Sequence, residues 1–372
     1  MASPSLREVT TDGAIEARPE DVDLLHRLVA IESLSDDEGD AVAELVRQMA
    51  GRGFEAEVDA VGNAVGRIGS GERHVVLLGH IDTVPGRIPV RLENGVLHGR
   101  GAVDAKGPLC TFVAAATAAA PRLNARVTVV GAVGEERMGS PGATAVAEWP
   151  APDFCVIGEP SGWDAVCLGY RGTLSFVYEL VQPSRHTAGP GESAAEQAVA
   201  FWNGVVAHAA ALNVERGANS TSSTTSTAIF GTITPTLRAM ATDGDGMADR
   251  AMLSVGLRLP PAVDMAALRG RLSELAGPAE IRVDGAQEGY RSAKTSPLVP
   301  PFLRAIRSEG GTPRFTLKLG TSDMTVVGPA WGCPIVAYGP GDAALDHTPE
   351  ERLELADYAR AIRVLTGVLE AL

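Results

Sequence analysis

Four short apolar runs, each breaking off at a glycine close to a polar group, constrain this chain more than any other feature. They are HVVLLGHID at 74–82, VTVVGAVGEE at 127–136, FCVIGEP at 154–160 and, much later, CPIVAYGPG at 333–341. Runs this short and this rich in β-branched residues suit buried strands of a sheet covered by helices on both faces. Helix-period stretches at 20–29 and 36–51, then a strand-like stretch at 54–58, precede the first run. Further helices are expected at 108–120 and 140–147, between the runs. The pattern predicts an α/β domain built on a mixed sheet flanked by helices.

The rhythm changes near residue 172. TLSFVYELV at 173–181 alternates like a half-buried strand, and 192–212 reads as a helix. Strands near 226–234 and 251–259, a helix at 264–276 and a strand at 280–284 complete a β-α-β-β-α-β order, the ferredoxin-like arrangement. The first rhythm resumes near 297. At 372 residues the chain exceeds one ordinary core. The reading is therefore a discontinuous domain, 1–171 with 290–372, and an inserted α+β domain at 172–289. The Ser/Thr-rich stretch 220–227 is expected as a surface loop.

The formal net charge of −14 excludes a nucleic-acid partner, since phosphates demand a basic face. No apolar run has the roughly 18–20 residues needed to cross a bilayer. MASPSLREVTTDG at the N-terminus lacks an apolar signal core, so a cytoplasmic location is expected. Cys110, Cys155, Cys167 and Cys333 show no CxxC spacing and read as small core residues in a reducing compartment.

The chemistry lies where the runs end. His80 and Asp82 follow the first, Glu135 and Glu136 the second, Glu159 the third, and His347 comes shortly after the fourth. Functional groups of open α/β sheets gather beyond the carboxyl ends of the strands. Asp104 sits in a glycine-flanked turn, GRGAVDAKG at 99–107. Singly, each has a plain structural reading: Asp104 as a helix cap, Glu135–Glu136 as acids at a helix start. Together, two imidazoles and three carboxylates form a borderline-hard set suited to zinc, cobalt or manganese. One carboxylate bridging two ions accounts for the count. Asp82 is placed to bond the second nitrogen of His80 and fix its tautomer. His26, His74, His98 and His208 lack this context and read as structural.

GHIDTVP, GRGAVDAKG, GEER, IGEPSG and the late DHTPEE, in this order, resemble the signature of the dinuclear zinc hydrolases that include acetylornithine deacetylase, succinyl-diaminopimelate desuccinylase and the aminoacylases. The resemblance runs from about residue 20 to the C-terminus. It implies two divalent ions per chain, zinc with cobalt able to substitute. His80 and Glu159 would hold one ion, Glu136 and His347 the other, with Asp104 bridging. Glu135 would be the general base and Asp82 a catalytic partner of His80. It also implies that the inserted domain is a lid through which many members form homodimers.

By the same resemblance, His186 in SRHTAGP (184–190) would donate to the oxyanion formed in amide hydrolysis. Arg171 in GYRGTL, Arg258 in GLRLPP, and Thr321 and Ser322 in GTSDM would bind a substrate carboxylate. YRGTLSF, LGTSDM, GLRLPP and GPGDAALDHTPEE are similar to one branch, which releases lysine or ornithine from the terminal glutamate of an acidic amino-group carrier protein. The Asn-x-Ile-Pro stretch of many members is replaced here by GDGMADRAM at 244–252. An acidic carrier meeting a chain of charge −14 requires a local basic rim, for which Arg87, Arg91, Arg185 and Arg238 are candidates. A deacetylase acting on free N-acetylornithine or N-acetyl-lysine needs the same metals and is the alternative. A dipeptidase is a weaker one, and a metal-free binding protein would have no chemical reason to keep the ligand set.

Overall fold

The computed structural model describes residues 17–186, 188–218 and 226–372. The N-terminal segment and most of the 220–227 stretch lie outside the described residues, as does Thr187 of the SRHTAGP motif. The chain forms two compact units. The first comprises residues 1–168, 292–316 and 326–372, and the second 169–291 with 317–325. No helix among the described residues is long and apolar enough to cross a membrane. None of the four cysteines is disulfide-bonded, and Cys110, Cys155 and Cys167 are buried.

In the first unit the strands lie in the order Glu55–Val58, Ala64–Ile68, Ala125–Ala132, Arg73–His80, Phe154–Gly158 and Ile335–Ala337, followed by Ala165–Tyr170. The sheet is mixed. Arg73–His80 runs parallel to both its neighbours, and Ile335–Ala337 runs parallel to Phe154–Gly158. Ala64–Ile68 pairs antiparallel with Ala125–Ala132, as does Glu55–Val58 with Ala64–Ile68. The parallel strands carry the four apolar runs, so their ends emerge on the same edge of the sheet. The fully buried residues Val75 to Leu78 and Val129 to Val130 explain why those runs are continuous rather than alternating.

The glycines that end the runs have a packing cause. Gly79 stands in register beside Gly131 on one side and Gly158 on the other. The helix Lys106–Ala119, rich in alanine and buried along most of its length, lies close over this row. A Cβ on Gly158 would come within 2.9 Å of the Phe112 ring, and one on Gly131 within 2.6 Å of Leu45. One on Gly339, just after the fourth run, would meet Pro108 at 2.6 Å. Only glycine lets the helix sit this deep. The helix Leu355–Ala371 packs on its far side.

A separate three-stranded sheet joins Arg91–Glu93, Val96–His98 and Arg352–Glu354. No apolar alternation marks these three-residue strands, and the sequence reading had no sign of them.

The second unit has an antiparallel four-stranded sheet in the order Thr234–Gly244, Ala248–Leu259, Gly172–Pro183, Glu280–Gln287. The helices Ala194–Glu215 and Met265–Ala276 complete the ferredoxin-like order. Ser193 begins the first helix with a capping box closed by Glu196. Its core joins Phe176, Tyr178, Phe201, Leu253 and Leu257, with the Tyr178 and Phe201 rings stacked at 4.4 Å. One expectation fails locally. Residues 226–230 form a short helix, and the strand expected at 226–234 begins at Thr234 and runs to Gly244. The β-branched residues Ile229 and Ile233 suggested a strand, but Asn213 turns the chain by bonding both backbone groups of Ile233, at 2.7 and 2.9 Å.

The glycine row predicts a sharp asymmetry. Gly158→Ala should destabilise the protein by about 1–3 kcal/mol through overpacking against Phe112. Gly270→Ala, in an exposed helix interior with nothing within 4 Å of its Cβ, should stabilise by about 0.5–1 kcal/mol. Equilibrium urea denaturation of the two variants reads the difference.

Candidate metal centre

Asp82, fully buried, organises the strand ends. Its Oδ1 accepts from the Glu135 N–H at 3.1 Å, and its Oδ2 accepts from the Glu136 N–H at 3.0 Å and from the Ser35 hydroxyl at 2.7 Å. The same residue orients His80. The imidazole Nδ1 lies 3.0 Å from the Asp82 carbonyl oxygen and 3.4 Å from its carboxylate. The backbone oxygen is thus the nearer acceptor, which a reading of side chains alone does not anticipate. With Nδ1 so engaged, Nε2 points at Asp104 Oδ1, 3.2 Å away, with Glu159 Oε1 at 3.9 Å.

Asp104 faces two imidazoles. Its Oδ2 lies 3.1 Å from His347 Nε2, and that nitrogen is 3.0 Å from Glu136 Oε1. The peptide bond after Asp104 is cis, and His347 adopts a left-handed backbone conformation, φ +61°. All five residues expected as metal ligands therefore meet in the first unit. They form two groups, His80–Asp104–Glu159 and Asp104–Glu136–His347, with Asp104 common to both. Glu135 joins His80 and Glu136 in a third such group, and within each the donor atoms lie inside 4.8 Å of one another.

Four carboxylates and two imidazoles in a largely buried space impose a charge problem. Burial opposes the charged form of His80, yet its bonds to Asp104 and Asp82 prevail and raise its pKa well above the usual imidazole value. The bonds to Asp104 and Glu136 lift His347 to about 10. Burial works against the Asp104 carboxylate, but His347 and His80 hold it below the ordinary range. Asp82 is also held low, by His80, Ser35 and the Glu136 N–H acting against burial. Converging like charges in a low dielectric need cations beside them. Oxygen and imidazole donors grouped in two sets about one shared carboxylate fit two divalent ions.

Three residues not expected at the site complete the centre. Glu38 accepts from the Gly134 N–H at 3.0 Å, and Asn63 Oδ1 from the Val133 N–H at 3.0 Å, which fixes the turn into Glu135. Glu351, from the DHTPEE motif, has no exposed surface and accepts from the Val103 and Asp104 N–H groups at 2.9 and 3.1 Å.

The other candidates belong to the second unit. His186 is exposed, and its Nδ1 accepts from the Ala188 N–H at 3.1 Å. Arg171 is buried, and its Nη2 donates to the carbonyls of Thr232 and Arg258 and to the Thr234 hydroxyl, at 2.7–2.9 Å. Burial and the neighbouring Arg258 lower its pKa to about 10. Burial, aided by Arg238, also lowers that of Arg258. Ser322 is buried, its hydroxyl accepting from the Met324 N–H at 3.2 Å, and Thr321 is half-buried beside it. Arg87, Arg91, Arg185 and Arg238 are exposed, the first two in the first unit and the others in the second.

The chain is similar to known proteins over nearly its whole length. The model of peptidase family M20/M25/M40 matches residues 76–371. A LysW-lysine hydrolase of Deinococcus radiodurans is 46% identical over 356 residues, 94% of this chain and 96% of that protein. A protein of Thermococcus kodakarensis named as a LysW-lysine/LysW-ornithine hydrolase is 39% identical over 95% of this chain and 92% of its own length. The crystal structure of an M20 family metallo-carboxypeptidase from Sulfolobus solfataricus has the same fold. It superimposes with a TM-score of 0.78 at 18% identity, covering 95% of this chain and 99% of its own.

A pH dependence follows from the imidazoles. Their pKa values are raised in the folded, metal-free chain, so the ion pairs stabilise it fully below the usual imidazole value. That contribution is lost as pH rises through the raised values, about 10 for His347. A proton on Nε2 also competes with a cation for the same lone pair. Affinity for zinc should therefore increase as pH rises from about 6.5 toward 10, with protons released on binding. Calorimetric titration in buffers of different ionisation heats measures both, and an affinity flat in pH would contradict the assignment.

Proposed function

From the premise that this chain belongs to the peptidase family M20/M25/M40 and is a metal-dependent hydrolase, we propose that it releases lysine, ornithine or a related diamino acid from an amino-group carrier protein by cutting an amide bond. The single observation that carries the hydrolytic chemistry is the pair of donor groups meeting at Asp104. The near full-length relatives named for LysW-linked substrates support the carrier as the acyl side of the amide. We assign His80 and Glu159 to one zinc ion, Glu136 and His347 to the other, and Asp104 to both. Cytoplasmic carrier-dependent amino-acid biosynthesis, and a homodimer formed through a lid comprising residues 172–289, complete the reading.

When bound, the ions supply Lewis acidity toward the scissile carbonyl and increase the acidity of water. The chain's own groups do the rest. Glu135, its backbone N–H held by Asp82, takes a proton from the attacking water and passes it to the departing nitrogen. The water oxygen joins the acyl carbon, the C–N bond breaks, and the amino acid leaves with its amine restored. Asp82 keeps His80 in the tautomer that presents Nε2 to Asp104 and Glu159. His186 donates to the oxygen that gains charge. Arg258 seats the free carboxylate of the amino acid, with Arg171 bracing its backbone and the Thr321–Ser322 turn beside it.

Glu135→Gln should keep two ions and lose about 10²–10⁴ in kcat, as expected for loss of a general base. His347→Ala should lose one ion. Metal analysis alongside single-turnover kinetics tests the division, and it fails if Glu135→Gln strips metal while His347→Ala does not.

The substrate assignment is tested by kcat/KM for a lysine-loaded carrier against N-acetylornithine and N-acetyl-lysine, at low and high salt. The carrier conjugate should be preferred, with a salt-sensitive rate reflecting steering of an acidic partner. Efficient cleavage of the acetylated amino acids with none of the conjugate would establish the deacetylase instead.

A further inference from the structure

The last glutamate of DHTPEE has no role in the mechanism above, yet both oxygens of its carboxylate are engaged. Glu351 has no exposed surface. Its Oε1 accepts two successive backbone N–H groups, Val103 at 2.9 Å and Asp104 at 3.1 Å. Its Oε2 accepts from Arg100 Nη1 at 2.7 Å. That same nitrogen reaches the Thr348 carbonyl at 3.1 Å, and Arg100 Nε reaches the Gly86 carbonyl at 3.1 Å. The Glu351 carbonyl in turn accepts from the Gly99 N–H at 3.3 Å. Both its oxygens are engaged in these bonds, and among the described residues it belongs to none of the groups able to hold a metal ion.

The two segments it joins are the ones that need joining. The turn at 99–107 delivers Asp104, and the loop at 346–351 delivers His347. The remaining residues of the two groups, His80, Glu136 and Glu159, stand at or just beyond the ends of sheet strands. Asp104 and His347 have no such support. His347 is half-exposed, in a strained backbone conformation, and its segment enters regular structure only at the three-residue strand Arg352–Glu354. The Arg100–Glu351 pair, side chains 13% and 0% exposed, is the polar tie between them.

We infer that Glu351 is a positioning residue for the ion held by Asp104, Glu136 and His347, acting by locking the Asp104 turn to the His347 loop. This rests on the two-ion reading above. Removing its charge loosens that site most, because the His80–Glu159 side is otherwise fixed by strand ends and by Asp82 and feels the loss only through Asp104. Loss of an interaction that orients metal ligands typically costs about 10- to 100-fold in metal affinity.

The test is a cobalt(II) titration of the metal-free chain and its Glu351→Gln variant, followed by visible absorption and by calorimetry. The parent should take up two ions. Glu351→Gln should weaken the second ion by about 10- to 100-fold and the first, which shares Asp104, by distinctly less. Arg100→Met, altering the more accessible partner, should weaken the same ion by less and serves if Glu351→Gln does not fold. Leu365→Ala, which thins the core away from the tie, should lower the melting temperature without separating the two affinities. Equal weakening of both ions, or no weakening in either folded variant, overturns the inference. A parent that binds a single ion overturns the two-ion reading itself.

Discussion

One buried carboxylate, Asp82, carries the geometry of the centre. Its two oxygens accept from the Ser35 hydroxyl and from the N–H groups of Glu135 and Glu136, and its own backbone oxygen turns His80. A helix-connecting loop, a strand end and the turn carrying Glu135 and Glu136 are thereby fixed to a single point. A carboxylate that accepts several such bonds keeps its charge despite burial, which a lone buried acid could not do. Removing the carboxylate would leave the two glutamate N–H groups without these acceptors, while the backbone oxygen would still hold His80.

That arrangement concentrates negative charge, and the chain meets the cost in two ways. Protonated imidazoles compensate in the metal-free state, which is why both histidines are shifted upward. Metal ions held by the proposed donors would compensate in their place, releasing those protons. The surrounding charges Arg100–Glu351 and Lys106 are not spent on the donors. Burial lowers the Lys106 ammonium to about 8, and it bonds the Leu28 and Ile31 carbonyls at 3.0 and 2.6 Å instead. Keeping fixed cations off the carboxylates leaves those oxygens available to metal.

The parallel strands were legible as apolar runs, and four of the five residues proposed to hold metal were legible because they follow those runs, while Asp104 stood out by its glycine-flanked turn. The ferredoxin-like order was legible from alternation alone, except at 226–230, where Asn213 decides the turn from elsewhere in the sequence. The small sheet near Arg352 escaped notice, since three-residue strands are too short to show a period. Glu38 and Asn63 were invisible for another reason, and Glu351, though inside DHTPEE, gave no sign of its partners. Their role is to accept backbone N–H groups far away in sequence, and an acceptor of that kind leaves no spacing pattern. Arg171 shows the converse: its motif suggested ligand contact, while three of its bonds go to the backbone and hydroxyl of its own unit.

The glycines under the helix Lys106–Ala119 have a consequence beyond packing. Asp104 is anchored just ahead of that helix, whereas His80 and Glu159 are anchored to the sheet beneath it. The thickness of the helix–sheet interface is thus also the spacing between the shared carboxylate and its imidazole. A single methyl group at Gly158, meeting the Phe112 ring, would act as a shim, lifting one donor away from the others. Core volume here is tuned to a coordination sphere, and the stretch of interior that seems most purely hydrophobic is a gauge block for the chemistry at its edge.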